Sequence, residues 1–357
     1  MPSIGWESSS RAEVAARKRL DIPALVEQER AVRADARSAP SGSRTMTVSL
    51  EGLPVATDRA KRAGERYTGM ILLAPTMIIM TVVGLFPLLH SLYMSLTGYR
   101  PSDPDKFQGF VGLANYADAV SDAQFLHSIL LTLLFTVLSV GLSLTLAVLL
   151  ALLFNVRLPG FTLLRTIIIV PMLITPIAVG ITWRIMMMPD LGVLNYVLSL
   201  VGIPPQPWAG EKASAMASML LVDVWQWTPF MFLIIFAGLS ALPKSPFEAA
   251  AIDGASPIQT FFMVTLPMLK PVIVIASLLR IVDAIRTYDT VYIITRGGPD
   301  FATDLLSIYL ARVNFRFFSL GYGAALSWLT LLIILAVVLI FVKYTGFMRM
   351  VNEKEAR

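Results

Sequence analysis

Pro246-Phe247-Glu248-Ala249-Ala250-Ala251-Ile252-Asp253-Gly254-Ala255-Ser256-Pro257, closing at Val264-Thr265-Leu266-Pro267, is a polar, proline-punctuated stretch between two long apolar runs. Ser245 stands before it as a candidate N-cap, Pro246 takes the first helical position, and Glu248 lies three residues on, the spacing of a capping box. Gly254 supplies the permissive turn at the end of this first helix. The pattern then repeats, with Ser256 as cap, Pro257 as start and Gln259 three residues on. Pro267 is expected to stop the second helix before the next apolar run. The expectation is a rigid helical hairpin at a membrane surface. It is either a self-contained structure, with Glu248 consumed by its cap, or an element that another protein grips.

The membrane comes from composition. The chain has 357 residues, 56% of them hydrophobic and 15% charged, with mean hydropathy +0.70. A soluble domain would carry about 25% charged residues. Cysteine is absent, which excludes disulfides and thiolate metal sites, and the only two histidines, His90 and His127, lie in different apolar stretches. Twelve of the 29 Lys and Arg precede Tyr67, so the net charge of +5 belongs mostly to the N-terminal tail and does not make a nucleic-acid surface. The first 60 residues contain no apolar core of the kind a cleavable signal needs.

Six stretches have the roughly 20 mostly apolar residues that crossing about 30 Å of hydrocarbon requires. They are Thr68–Leu96, Phe125–Phe154, Thr166–Met188, Ser214–Leu242, Pro271–Thr295 and Phe318–Val342. The expected organisation is a polar cytoplasmic tail over 1–66, disordered or a surface helix, a six-helix membrane domain over 67–347 with the hairpin at 243–267, and a short cytoplasmic tail over 348–357. Orientation follows from basic residues flanking the spans. Arg59, Lys61, Arg62 and Arg66 place the N-terminus inside, and Lys343, Arg349, Lys354 and Arg357 do the same for the C-terminus. Loops assigned outside are acidic, although the last also carries Arg296, Arg312 and Arg316.

Ionisable side chains inside spans are costly and are functional candidates by default. Asp223 lies in the fourth span, and Arg280, Asp283 and Arg286 follow at intervals of three in the fifth. Asp283 can reach either arginine. The group is either an ion-pair ladder between helices or the lining of a polar path.

The hairpin residues Glu248, Ala249, Ala250, Gly254, Val264, Leu266 and Pro267 resemble the EAA loop of ABC importer permeases. Val111-Gly112-Leu113-Ala114-Asn115-Tyr116 resembles that family's outer-loop segment, and Asp223-Val224-Trp225-Gln226-Trp227-Thr228-Pro229-Phe230 its fourth-span entry. Thr295-Arg296-Gly297-Gly298-Pro299 and Gly321-Tyr322-Gly323-Ala324-Ala325 resemble the branch containing the maltose, trehalose and glycerol-3-phosphate permeases. The resemblance covers roughly Tyr67 to Lys343. It implies an all-α fold of six transmembrane helices with a cytoplasmic coupling-helix hairpin, like that of type I ABC importer permeases. It also implies a multi-pass protein of the bacterial inner membrane, with both termini cytoplasmic, that translocates a sugar or polyol.

The resemblance further implies that Glu248, Ala249, Ala250, Asp253, Gly254, Leu266 and Pro267 couple the chain to separate ATPase subunits, which bind ATP and magnesium. The chain has no phosphate loop of its own and is expected to hold no metal or cofactor. The other implied partners are a second permease chain, an extracytoplasmic substrate-binding protein and membrane lipid. Substrate contacts of the family fall here on Asp223, Gln226, Trp227 and Phe230 before the hairpin and on Asp283 after it. Gln226 suits hydroxyls and the aromatic rings suit a pyranose face, although Trp225 and Trp227 are also placed to be interfacial anchors. With no arginine cluster evident along the sequence, a neutral carbohydrate is expected. Two alternatives remain. An ion-gradient-driven transporter would use the Asp283–Arg286 region as a relay, but no inverted repeat is visible. A membrane-embedded enzyme would need a catalytic constellation the chain lacks.

Overall fold

The computed structural model describes residues 72–101, 108–155 and 160–347. The N-terminal tail over 1–66 and the C-terminal tail over 348–357 lie outside them. By contacts the chain divides into Met1–Pro75 and Thr76–Arg357, and the elements that carry the candidate sites belong to the second unit.

α1 (Leu72–Ser95) leads into an antiparallel ribbon of β1 (Thr97–Gly98) and β2 (Gln108–Phe110), with Thr97 opposite Phe110. A short α2 (Ala114–Ser121) precedes α3 (Ala123–Phe154). Asp122 caps α3, its carboxylate accepting from the Gln124 and Phe125 amides at 2.9 and 3.1 Å. Next come α4 (Phe161–Leu173) and α5 (Pro176–Met186), then α6 (Val193–Leu200), α7 (Lys212–Ser240), α8 (Ser245–Ile252) and α9 (Pro257–Ile285). α10 (Asp289–Ile294), α11 (Leu306–Phe315) and α12 (Leu320–Thr345) complete the order.

Among the described residues, five helices, α1, α3, α7, α9 and α12, are each long and apolar enough to span a membrane. The third expected span is a bent pair, α4 and α5, whose axes turn by 97°. Counted as one broken crossing, it brings the number to six. Its break has a local cause. Pro176 disfavours helical geometry at Thr175, which is extended at φ −61° and ψ 141°.

The fifth span also differs from expectation. It starts at Pro257, not Pro271, and ends at Ile285, not Thr295. Pro267 does not stop the second hairpin helix. A π turn over Phe261–Thr265 sits just before it, and the helix continues. Proline lacks a donor and crowds the carbonyl four residues back, and widening the preceding turn relieves both defects. The Thr265 hydroxyl donates to the Thr260 carbonyl at 3.3 Å within this turn. The same device appears in α1, where a π turn over Thr81–Leu85 ends two residues before Pro87.

α7 is the central helix, packed on α3, α9 and α4. Of its most apolar window 56% is buried, against none of that of α1. One apolar core joins Phe135 of α3, Met219 and Val222 of α7, Val291 of α10 and Ile308 of α11. A second joins Ala147 and Ala151 of α3, Phe232 and Ile235 of α7, and Leu269 and Ala276 of α9.

Candidate coupling hairpin and buried polar cluster

The hairpin residues form the two helices the sequence predicts, with one change at the first cap. α8 begins at Ser245 itself, and its N-cap is Lys244, which makes no side-chain capping bond. The Phe247 and Glu248 amides are satisfied by the Lys244 carbonyl at 3.0 and 3.1 Å. Glu248 is therefore not consumed by a cap. It is exposed, and its carboxylate makes no hydrogen bond or ion pair with any described residue. Ala249 is exposed beside it, while Ala250 is buried against the body of the protein.

The end of α8 is a Schellman turn. The Ala255 amide reaches back to the Ala250 carbonyl at 2.9 Å, and Gly254 takes the left-handed conformation at φ +72°. No atom lies within 4 Å of where a Gly254 side chain would start. The glycine is thus needed for backbone conformation and not for space. The second capping box forms as expected: the Ser256 amide donates to Gln259 Oε1 at 2.8 Å, and the Gln259 amide to Ser256 Oγ at 3.4 Å. Ile252, Ile258, Phe262 and Met263 are 60–86% exposed, so Glu248 and Asp253 stand in an apolar surround. Leu266 is half-buried and Pro267 exposed at the start of the membrane run of α9.

The second candidate site lies between the two apolar cores. Arg280 of α9 is fully buried, and its guanidinium binds the Asp223 carboxylate of α7, itself 3% exposed. The same guanidinium donates to Ser139 Oγ of α3 at 2.9 Å and to the half-exposed Asp283 carboxylate at 2.8 Å. The Ser139 hydroxyl also donates to Asp223. Three helices are thereby joined through one arginine. Burying such a charge is tolerable only with this degree of pairing. Asp283 does not also pair with Arg286, which is exposed. Sequence reasoning missed Ser139, because a lone serine among apolar residues gives no signal until α3 and α7 are placed side by side.

The other expected substrate contacts divide. Trp227 lies against this cluster, with the Arg280 guanidinium 5.5 Å from its ring centre and Phe230 edge-on at 6.3 Å. Gln226 is buried and directed elsewhere: its Nε2 donates at 3.2 Å to the carbonyl of Ile174, at the break between α4 and α5. That bond satisfies a carbonyl freed by the bend, a structural task. Trp225 packs edge-on against Trp183 at 5.4 Å. The structure thus groups Asp223, Trp227, Phe230 and Asp283 around Arg280 and removes Gln226 from the group.

Glycines in the remaining motifs are set by close contacts. A Cβ at Gly321 would overlap the Thr97 carbonyl, and one at Gly323 the Asn314 side chain. Gly297 adopts φ +88° beside Asp304. Asp304 binds Arg312 and accepts from Gln124 at 2.6 Å, and its burial pushes its carboxyl above the usual range against those partners. Asp122 runs the other way. Partial burial raises its carboxyl, but the hydroxyls of Tyr309 and Tyr322 and the amides of Phe125 and Gln124 outweigh that and hold it below the usual range.

Among known proteins, the family model described as "Binding-protein-dependent transport system inner membrane component" matches residues 120–356. A probable ABC transporter permease protein of Sinorhizobium fredii is 40% identical over 263 residues, 74% of this chain and 85% of that protein. A trehalose/maltose transport system permease protein of Thermococcus litoralis is 36% identical over 285 residues, 80% of this chain and 96% of that one. The fold is shared with a chain of a bacterial ABC transporter involved in import of the acidic polysaccharide alginate, at TM-score 0.70 and 20% identity over 81% of this chain and 99% of that one.

Proposed function

The chain belongs to the family of binding-protein-dependent transport system inner membrane components, and from that premise we propose that it is the permease subunit of an ATP-driven importer that carries a carbohydrate into the cell. Relatives named for trehalose and maltose transport support the substrate class. The observation that carries the mechanism is the hairpin: a doubly braced element whose Glu248 carboxylate is unpaired among the described residues and flanked by exposed apolar side chains. A flexible loop would absorb a push. One closed by a Schellman turn and a capping box transmits it. Glu248, free of its cap, can accept a charge-assisted bond from an arginine of a partner.

ATP and magnesium belong to the partner, a pair of ATPase subunits in the cytoplasm. A second permease chain completes the pathway, and an extracytoplasmic binding protein delivers the sugar. Both termini of this chain are then cytoplasmic. α9 runs without interruption from the capping box at Ser256 to Arg280, roughly 35 Å at helical rise. It therefore joins the coupling surface to the buried polar cluster directly. In that cluster Trp227 and Phe230 offer ring faces to a pyranose, and Asp283, half exposed, offers a carboxylate to its hydroxyls.

Uptake of labelled trehalose and maltose by cells expressing the complete system tests the energy source. Uptake is expected to cease on ATP depletion and to survive collapse of the ion gradients. The reverse result would support the ion-driven alternative and overturn this reading.

A further inference from the structure

Arg286, Arg296, Arg312 and Arg316 are too dispersed along the chain to read as a charged run, yet folding brings them to the border of one cleft beside α10 and α11. The cleft consists of two adjoining hollows that share Tyr288, Ala311 and Phe315 as walls: one of about 110 Å³ bordered by Arg296, Arg312 and Arg316, and one of about 390 Å³ bordered by Arg286. The larger volume is within the range of about 300–1,000 Å³ usual for small-molecule sites. Tyr288 and Tyr292 stack beside the smaller hollow, centroids 5.3 Å apart and planes 18° from parallel.

Arg312 is engaged by Asp304 and lies over the Phe301 and Tyr309 rings. Arg286, Arg296 and Arg316 are exposed, and their side chains form no ion pair or hydrogen bond with a described residue. Nearby carboxylates cancel them only in part, since Asp283 also feels the charge of Arg286. Asp283 and Asp304 are bonded to Arg280 and Arg312, and exposed Asp289 offsets at most one charge. Arg296, Arg312 and Arg316 also belong to the loop assigned to the outer side, where the distribution of basic residues runs against them. A cationic surplus kept there calls for an anion.

We infer that this cleft binds an acidic carbohydrate, one whose ring carries a carboxylate or sulfonate. The inference rests on the importer reading and departs from the neutral substrate the sequence suggests. Guanidinium forks match the two or three oxygens of such groups, which a neutral sugar lacks. The tyrosine faces and Phe315 accept the apolar face of the ring. A bare anion would use the charges and leave the aromatic wall idle.

The test is titration calorimetry on the intact importer complex in nanodiscs, with D-glucuronate, D-glucose and inorganic phosphate as probes. Glucuronate is expected to bind at least about tenfold more tightly than either other probe. In the double variant Arg296→Gln/Arg316→Gln its affinity should fall by about tenfold or more, while Arg296→Lys/Arg316→Lys, which keeps the charges and loses the forks, should recover only part of it. Tyr288→Leu should weaken glucuronate and leave phosphate unchanged. Equal binding of glucose and glucuronate overturns the inference, as does phosphate binding as tightly as glucuronate. Loss of glucuronate binding when phosphatidylglycerol is added to phosphatidylcholine discs would assign the site to lipid headgroups and overturn it too. ATP-dependent uptake of any sugar judges the importer reading separately: uptake intact without acid preference sinks this inference alone.

Discussion

Arg280 is the residue on which the membrane interior of this protein turns, because it satisfies Asp223, Ser139 and Asp283 at once. The sequence shows the charges and their spacing. It does not show which of them meet, because Asp223 and Ser139 are on other helices and the choice depends on packing. It suggests Arg286 as a partner of Asp283 on helical spacing alone, and the structure leaves that arginine exposed. Deleting one member of a buried pair strands the other without water, at a cost of about 3–5 kcal/mol, whereas replacing both by apolar groups of similar shape is close to neutral. Asp223→Ala is therefore expected to lower the thermal stability of the detergent-solubilised protein severely. The double variant Asp223→Leu/Arg280→Met should recover most of it. Unfolding curves followed by circular dichroism decide: a double variant no more stable than the single one would show that the charges stabilise beyond their own desolvation. If the cluster also lines the sugar path, the recovered double variant will fold and still fail to transport. An ion-pair ladder alone predicts transport restored with stability.

At the level of elements, the hairpin shows both the reach and the failure of local reading. Two helices, the glycine turn and the second capping box follow from residue types at fixed spacings, and all are present. The first capping box fails because Ser245 is drawn into the helix, its place at the N-cap taken by Lys244. The failure is informative, since it leaves the Glu248 carboxylate free of a cap. Pro267 likewise gives a stop signal that the π turn before it overrides, a correction repeated at Pro87. A kinked helix and a terminated one look alike in sequence, because the relieving turn uses ordinary apolar residues. Glu248→Ala should leave the protein in the membrane at normal levels and reduce uptake at least about tenfold by removing a charge-assisted bond. Gly254→Trp should do the same by straining a φ of +72° and placing bulk on an open surface. Uptake and ATP hydrolysis measured together form the check, and hydrolysis continuing without uptake is the expected signature. Normal uptake in both variants would remove the hairpin from the coupling role.

For the whole molecule, the most apolar window of α1 is unburied, and that of α12 is only 11% buried. Lipid accounts for apolar residues on such faces, but not for the unpaired Glu248 or the half-exposed Asp283 beside a buried arginine. Under the importer reading, polar groups of this kind are where other subunits and the substrate path are expected to meet the chain. The membrane class, five of the six span positions to within a few residues and the hairpin were legible because hydropathy and capping act over short distances, while the fifth span lies 14 residues early at its start and 10 at its end. The bend between α4 and α5, the bond of Gln226 across it and the arginine-bordered cleft depend on residues far apart in sequence. The same physics predicts that the chain is incomplete alone. Purified under mild conditions from cells expressing the whole system, it should emerge in a complex holding one copy of itself, one different permease chain and two ATPase subunits, as counted by native mass spectrometry. A complex with two copies of this chain and no second permease would make the pathway symmetric and bring two copies of the Arg280 cluster to it. A stable monomer with no ATPase would leave the exposed hairpin without a partner and contradict the importer reading at its base.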